Sequence, residues 1–261
     1  DEIFNDRLLS LISIFLLEGI YFYNFTTPEF NVNVCQLPFW SLTVYYSWQI
    51  YNKKDIRFSD CFLVGLFGAI GFLSKYLFAY LLLSIFILFI YLFLKKEKKF
   101  DFKYVIIVEI FIVVLVPHII WLFQNDFITI FYGLKRSGLE DTNILNHVKF
   151  PTIFLFKQIG ILIPFFIMNW LLIKNVEFKI NLKEKKLIFL IFINLLPIIL
   201  IFTTSLITGS KIRTMWMTPF YLFFGVMSVY LLKSKINTKK IKSFFYCFLF
   251  LFFLSPLLYA Y

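Results

Sequence analysis

Long apolar runs alternate with short polar, mostly lysine-rich connectors along the whole chain. A helix crosses roughly 30 Å of hydrocarbon with about 17 to 25 apolar residues. Nine stretches meet that requirement: 7–23, 34–50, 60–76, 77–94, 104–123, 152–173, 187–207, 214–232 and 243–260. The expected fold class is therefore all-α, a polytopic transmembrane helix bundle of about nine spans forming one transmembrane domain over residues 1–261. The pair within 60–94 is crowded, since 35 residues must cross twice with almost no turn, and one member is a candidate re-entrant half-helix. One connector breaks the pattern. The segment FITIFYGLKRSG reads as a short amphipathic helix along the membrane interface, with Phe127, Ile128, Phe131 and Leu134 toward lipid.

Composition sharpens this picture. Hydrophobic residues make up 61% of the chain and charged ones 16%, against about 45–50% and about 25% for a soluble domain. Thirty-eight phenylalanines would leave a water-soluble fold with large exposed apolar patches. The net charge of +11 lacks a basic face or a nucleic-acid motif to collect it, so no nucleic acid partner is expected. Three scattered cysteines form neither a disulfide framework nor a metal-ligand spacing. The chain opens at Asp1 with no initiator Met, basic leader or cleavage site, and is expected to be cut from a longer polypeptide, at its N-terminus and also at its C-terminus.

The charge is a topology signal, because cytoplasmic loops carry an excess of Lys and Arg. Alternating the nine spans puts 19 of the 26 basic residues on one side, Arg7 and the clusters around Lys53, Lys95, Lys183 and Lys239, and seven on the other. The richer side is read as cytoplasmic. The opposite face then holds the chemically varied loops, 24–33, 124–151 and 208–213, and any site belongs there.

Ionisable groups near a span cost about 2.5 to 3.5 kcal/mol at the bilayer centre and need a reason. Glu18 lies about a turn from the outer end of its span, Glu109 about a turn inside the cytoplasmic end, and Lys75 and Lys157 toward the outer face. A lysine there either snorkels to headgroups or is aimed at a lipid phosphate. In loop 24–33, Glu29, Asn31 and Asn33 alternate with Phe30 and Val32, so an extended backbone would turn all three polar groups to one side, an arrangement suited to a sugar or a general base. Lys211 and Arg213, beside Gly209 and Ser210 at a helix start, form a candidate phosphate cradle. His118 follows Pro117 in a span that ends at Asp126, with no second His at metal spacing.

Four outer-face segments carry a family resemblance: LLEGIYFYNFTTPEFNVNVCQLPFW (16–40), GLFGAIGFLSKY (65–76), PHIIWLFQNDF (117–127) and TGSKIRTMWMTPF (208–220). They resemble bacterial glycosyltransferase family 39, the group of the aminoarabinose transferase of lipid A and of protein O-mannosyltransferases. The resemblance implies a GT-C fold and transfer of a sugar from a polyprenyl-phosphate carrier to a lipid, protein or other cell-envelope acceptor, at the periplasmic face of the bacterial inner membrane. It implies Glu29 as the catalytic candidate within this chain, with the main acidic residue upstream of it. Asn31, Asn33, Lys75, His118, Asp126, Lys211 and Arg213 become the substrate-binding candidates. No metal ligand is expected among these residues, and a divalent metal would be supplied from outside the chain. The partners implied are the polyprenyl-phosphate-linked sugar, the acceptor and membrane lipids. The competing class is a polytopic transporter or lipid flippase, whose signature is broken helices with polar groups at midplane and two repeated halves; no internal repeat is found.

Overall fold

The computed structural model describes residues 2–26, 29–139, 143–173 and 181–260. They form helices and no strand; the lone β-type contact joins Ile173 to Ile236. In chain order the helices are α1 (Arg7–Phe15), α2 (Tyr21–Asn24), α3 (Val32–Asn52), α4 (Phe58–Ser74), α5 (Ala79–Leu94), α6 (Lys103–Gln124), α7 (Ile128–Arg136), α8 (Asn146–Leu172), α9 (Lys185–Thr208), α10 (Phe224–Leu232) and α11 (Ile241–Ala260). The all-α bundle expected from the apolar pattern is the fold observed. Five helical stretches among the described residues are long and apolar enough to cross a membrane, and six if the bent pair Thr214–Tyr221 and Phe224–Leu232 counts as one broken span.

The nine expected spans exceed that number for identifiable reasons. The stretch 7–23 is not one helix: α1 gives way to a 3-10 turn at Leu16–Gly19, Ile20 is extended, and only one turn of α2 follows. The stretch 34–50 is helical in α3, but that helix carries Asn33, Gln36, Thr43 and Ser47 as buried polar residues. α4, at 17 residues, is just short of a full crossing. The stretch 214–232 bends by 51° where the 3-10 turn meets α10.

The chain divides into two compact units. The first comprises residues 1–30, 155–194 and 220–261, the second 31–154 and 195–219, so the division falls within α8 and α9. In the first unit, Asp6 caps α1 by accepting from the Leu8 and Leu9 N–H groups at 2.8 and 3.1 Å, the usual remedy for the orphan donors of a helix start. α1 packs on α10 closely enough that a Cβ on Gly225 would lie 1.9 Å from the Ser13 carbonyl oxygen. Glu18 is half-buried in the 3-10 turn, where Asn24 Nδ2 donates to its Oε1 at 2.7 Å, and Ser255 on α11 donates to the Asn24 carbonyl at 3.0 Å.

In the second unit α4 packs against both α3 and α6, and Tyr80 on α5 donates to Thr204 on α9 at 3.0 Å. One end of this unit shows what the lysine-rich connectors do. Lys98 Nζ donates to the carbonyl oxygens of Ile50 and Lys53 at the end of α3, Lys103 Nζ to that of Ile56 at 3.0 Å, and Lys53 pairs with Asp60 at 3.4 Å. Ammonium groups at helix ends satisfy orphan carbonyls and complement the helix dipole. At the other end of α4 stands Lys75.

Candidate functional site

Lys75 is the single extended residue (φ −167°, ψ 132°) between the end of α4 and the 3-10 turn Tyr76–Phe78 that opens the next apolar stretch. Hydrogen bonds close the backbone on both sides, from Lys75 N–H to the Gly71 carbonyl at 3.2 Å and from Phe78 N–H to the Lys75 carbonyl at 3.0 Å. Its ammonium donates to Oδ1 of Asn33, which is 4% exposed in the first turn of α3. The same ammonium lies over the Trp216 ring, 5.1 Å from the centroid, where the negative face of the indole attracts a cation. In this break, outside both flanking helices, burial and then the positive charge of Arg136 pull the Lys75 ammonium down from its usual range to about 7.

Arg136 sits in the last turn of α7, where its Nη1 donates to Tyr132 Oη at 2.6 Å. The next residue, Ser137, accepts from the Lys211 backbone N–H at 2.8 Å, which ties α7 to the loop 208–213. Hydroxyls brace that loop: Ser205 Oγ donates to the Ser210 carbonyl at 2.6 Å, and Thr208 Oγ1 to Ser210 Oγ at 2.9 Å. Gly209 turns the chain at φ +67°, and a Cβ there would stand 3.1 Å from the His147 ring. His147 Nδ1 lies 3.0 Å from the Leu206 carbonyl oxygen; a carbonyl only accepts, so Nδ1 carries the proton. The Lys211 and Arg213 side chains are exposed, and the chain then enters the 3-10 turn that places Trp216 beneath Lys75. Lys75 is thus tied through Trp216 to the segment that follows Arg213, and the loop bearing Lys211 to the residue after Arg136 through the Ser137–Lys211 hydrogen bond, all within one unit.

His118 reaches this neighbourhood indirectly, through its hydrogen bond with Tyr76. Asp126 is exposed in a left-handed turn (φ +48°) with no hydrogen bond or ion pair among the described residues. The extended alternation expected for 29–33 is not adopted at its C-terminal half. Asn31 instead caps α3, its Oδ1 accepting from Asn33 N–H at 2.9 Å, and Asn33 is already helical. An Asn with β-region backbone at the start of an apolar helix is a capping signal, and it outweighs the alternation. Glu29 is exposed at the end of the first unit. Trp216, Arg136, Tyr76 and His147 escaped the sequence reading. Tyr76 and Trp216 lie inside resemblance blocks, next to or near chosen cations, whereas Arg136 and His147 carry no local signal. Among the described residues, no group of three or more His, Cys, Asp or Glu side chains is placed to hold a metal ion.

A half-buried lysine on an aromatic face, within the field of an arginine and in the same unit as the exposed Lys211 and Arg213, has the chemistry to receive an anion. Comparison with known sequences adds a family likeness. Residues 2–121 match the dolichyl-phosphate-mannose-protein mannosyltransferase family. The matched stretch holds Asn33, Lys75, Tyr76 and His118, while α7 and loop 208–213 fall beyond it. The resemblance read from the sequence is borne out over that stretch, and the family it matches is one of membrane glycosyltransferases of the GT-C type. No curated protein and no solved structure matches the chain.

Proposed function

We infer that the chain moves a sugar from a polyprenyl-phosphate carrier to a hydroxyl of a lipid or protein acceptor, at the non-cytoplasmic face of the membrane. The carrying observation is Lys75 at a helix break, on the face of Trp216 and within the field of Arg136, with the loop that bears Lys211 and Arg213 tied to the end of the Arg136 helix. In such a transfer the acceptor oxygen bonds to the anomeric carbon, the bond from that carbon to the phosphate oxygen breaks, and the carrier phosphate departs with the electron pair. Cations preorganised around the departing phosphate stabilise its growing charge. The acceptor proton needs a carboxylate; within this chain Glu29 is the candidate. Asn31 and Asn33 are the candidates for sugar hydroxyls, and the family description supports a mannosyl donor and a protein acceptor as first substrates to assay.

The test uses the full-length protein in nanodiscs with a radiolabelled dolichyl-phosphate-mannose donor. Replacing Lys75 or Arg213 by Ala should lower transfer by roughly 10- to 100-fold, the scale of a lost charge-assisted hydrogen bond of about 1.5–3 kcal/mol. Unchanged kinetics in both variants would remove the basis of this reading.

A further inference from the structure

Beside Lys75 stands a second group, organised around a phenol. Tyr76 Oη lies 2.7 Å from His118 Nε2 on α6 and 2.8 Å from Thr129 Oγ1 in the first turn of α7. A phenol donates one proton and also accepts, so the two partners use it fully in either direction. With Nε2 unprotonated, Tyr76 donates to His118 and accepts from Thr129. With Nε2–H present, His118 donates to Tyr76, which donates to Thr129. The imidazole is stacked on Trp121 at 5.8 Å and 13° between planes, and the Tyr76 ring packs on Phe72 of α4 at 5.2 Å. The end of α4, the turn after it, α6 and α7 therefore meet at one hydroxyl.

That meeting point matters because of what α7 lacks. None of its residues is buried, and the two residues leading into it, Asp126 and Phe127, are left-handed at φ +48° and +54°, a conformation unfavourable for side chains with a Cβ. Hydrogen bonds hold it at both ends, Thr129 to Tyr76 at the start and Ser137 to the Lys211 N–H at the finish. Arg136 rides on α7, and Lys75 immediately precedes Tyr76. One phenol is thus joined to the two segments that carry these cations.

We propose that Tyr76, His118 and Thr129 form a positioning latch, in which His118 acts through Tyr76 to hold Lys75 and the Arg136-bearing helix in register, and does not itself touch substrate. The positioning role rests on the phosphate reading of Lys75 and Arg136; the latch as a mechanical tie for α7 does not.

Two readouts on the full-length protein in nanodiscs separate these parts. In hydrogen exchange, Tyr76→Phe and Thr129→Val should each speed the amides of residues 128–136 by about fivefold to tenfold, the scale of one hydrogen bond, while Lys75→Ala leaves them unchanged. In binding of a short-chain polyprenyl monophosphate, Tyr76→Phe and His118→Ala should weaken affinity by about fivefold. His118→Gln, whose amide reaches where Nε2 stood, should restore the affinity lost in His118→Ala. Unchanged α7 exchange in Tyr76→Phe and Thr129→Val overturns the latch. Faster exchange with full phosphate affinity in Tyr76→Phe, where Lys75→Ala has lost it, overturns the positioning role. Full phosphate affinity in Lys75→Ala defeats the phosphate reading and leaves the tie to be judged by exchange alone.

Discussion

Single positions in this fold differ sharply in what they tolerate, and two glycines make the contrast measurable. Gly225 faces the backbone of α1, and a methyl group there has to displace the Ser13 carbonyl from 1.9 Å. Gly225→Ala should cost about 1 to 3 kcal/mol, typical of overpacking, seen as a lower melting temperature in detergent. Gly160, in the middle of α8, has nothing within 4 Å of a built Cβ. There the same change should leave stability unchanged or raise it by up to about 1 kcal/mol through helix propensity. Lys75 offers a chemical counterpart. Its ammonium titrates near 7 because it is buried beside Arg136, so it is charged below that pH and loses its proton as pH rises through it. A sugar-phosphate donor keeps its single negative charge over this range. The KM for such a donor should therefore rise between pH 6 and pH 8 in the native protein and stay flat in Lys75→Arg, whose side chain remains charged.

Among the elements, those with one uninterrupted apolar character were legible from the sequence. The stretches 104–123, 187–207 and 243–260 reappear within a few residues as α6, α9 and α11, because every position favours the same state. The misread elements share a cause: a local polar or glycine signal overrides the run. Gly19 and Glu18 end α1 early, and the Asn31 cap starts α3 where an extended loop was expected. The expected short amphipathic helix is present as α7, with Ile128, Phe131 and Leu134 exposed. Of the site, the sequence showed the individual cations but not their company, since Trp216 and Arg136 meet Lys75 only through folding. α3 adds a prediction of its own. Gln36 Oε1, Thr43 Oγ1 and Ser47 Oγ are buried along this helix and have no hydrogen-bond partner among the described residues. Leaving such groups unpaired costs about 1 to 3 kcal/mol each, whereas an apolar group of the same shape is neutral or better. Thr43→Val and Ser47→Ala should melt no lower than the parent protein, and a drop in melting temperature would show that both hydroxyls are satisfied in the folded state.

At the scale of the whole molecule, the uneven distribution of 19 and seven basic residues acquires a physical counterpart in the second unit. At one extremity of α4, Lys98 satisfies carbonyls at the end of α3, Lys103 that of Ile56 in the connector and Lys53 pairs with Asp60, while Lys75 stands at the other. The proposed sidedness is checked by labelling. In a background with Cys35, Cys61 and Cys247 replaced, Glu29→Cys should react with an impermeant thiol reagent in intact cells, and Lys99→Cys only after lysis. The reverse pattern would invert the topology. If the sidedness holds, the one-residue joint at Lys75 governs how the protein is made. A single extended residue leaves no room for α4 and the following helix to enter the bilayer in turn, so they must insert together as a hairpin with the lysine at its tip. Carrying that cation across costs about 2.5 to 3.5 kcal/mol, while about a dozen Leu, Ile and Phe residues in the second arm each return roughly 0.3 to 0.6 kcal/mol. The unbroken apolar run of α5 is thus the engine of biogenesis, the part that hauls the future binding lysine to the far side of the membrane.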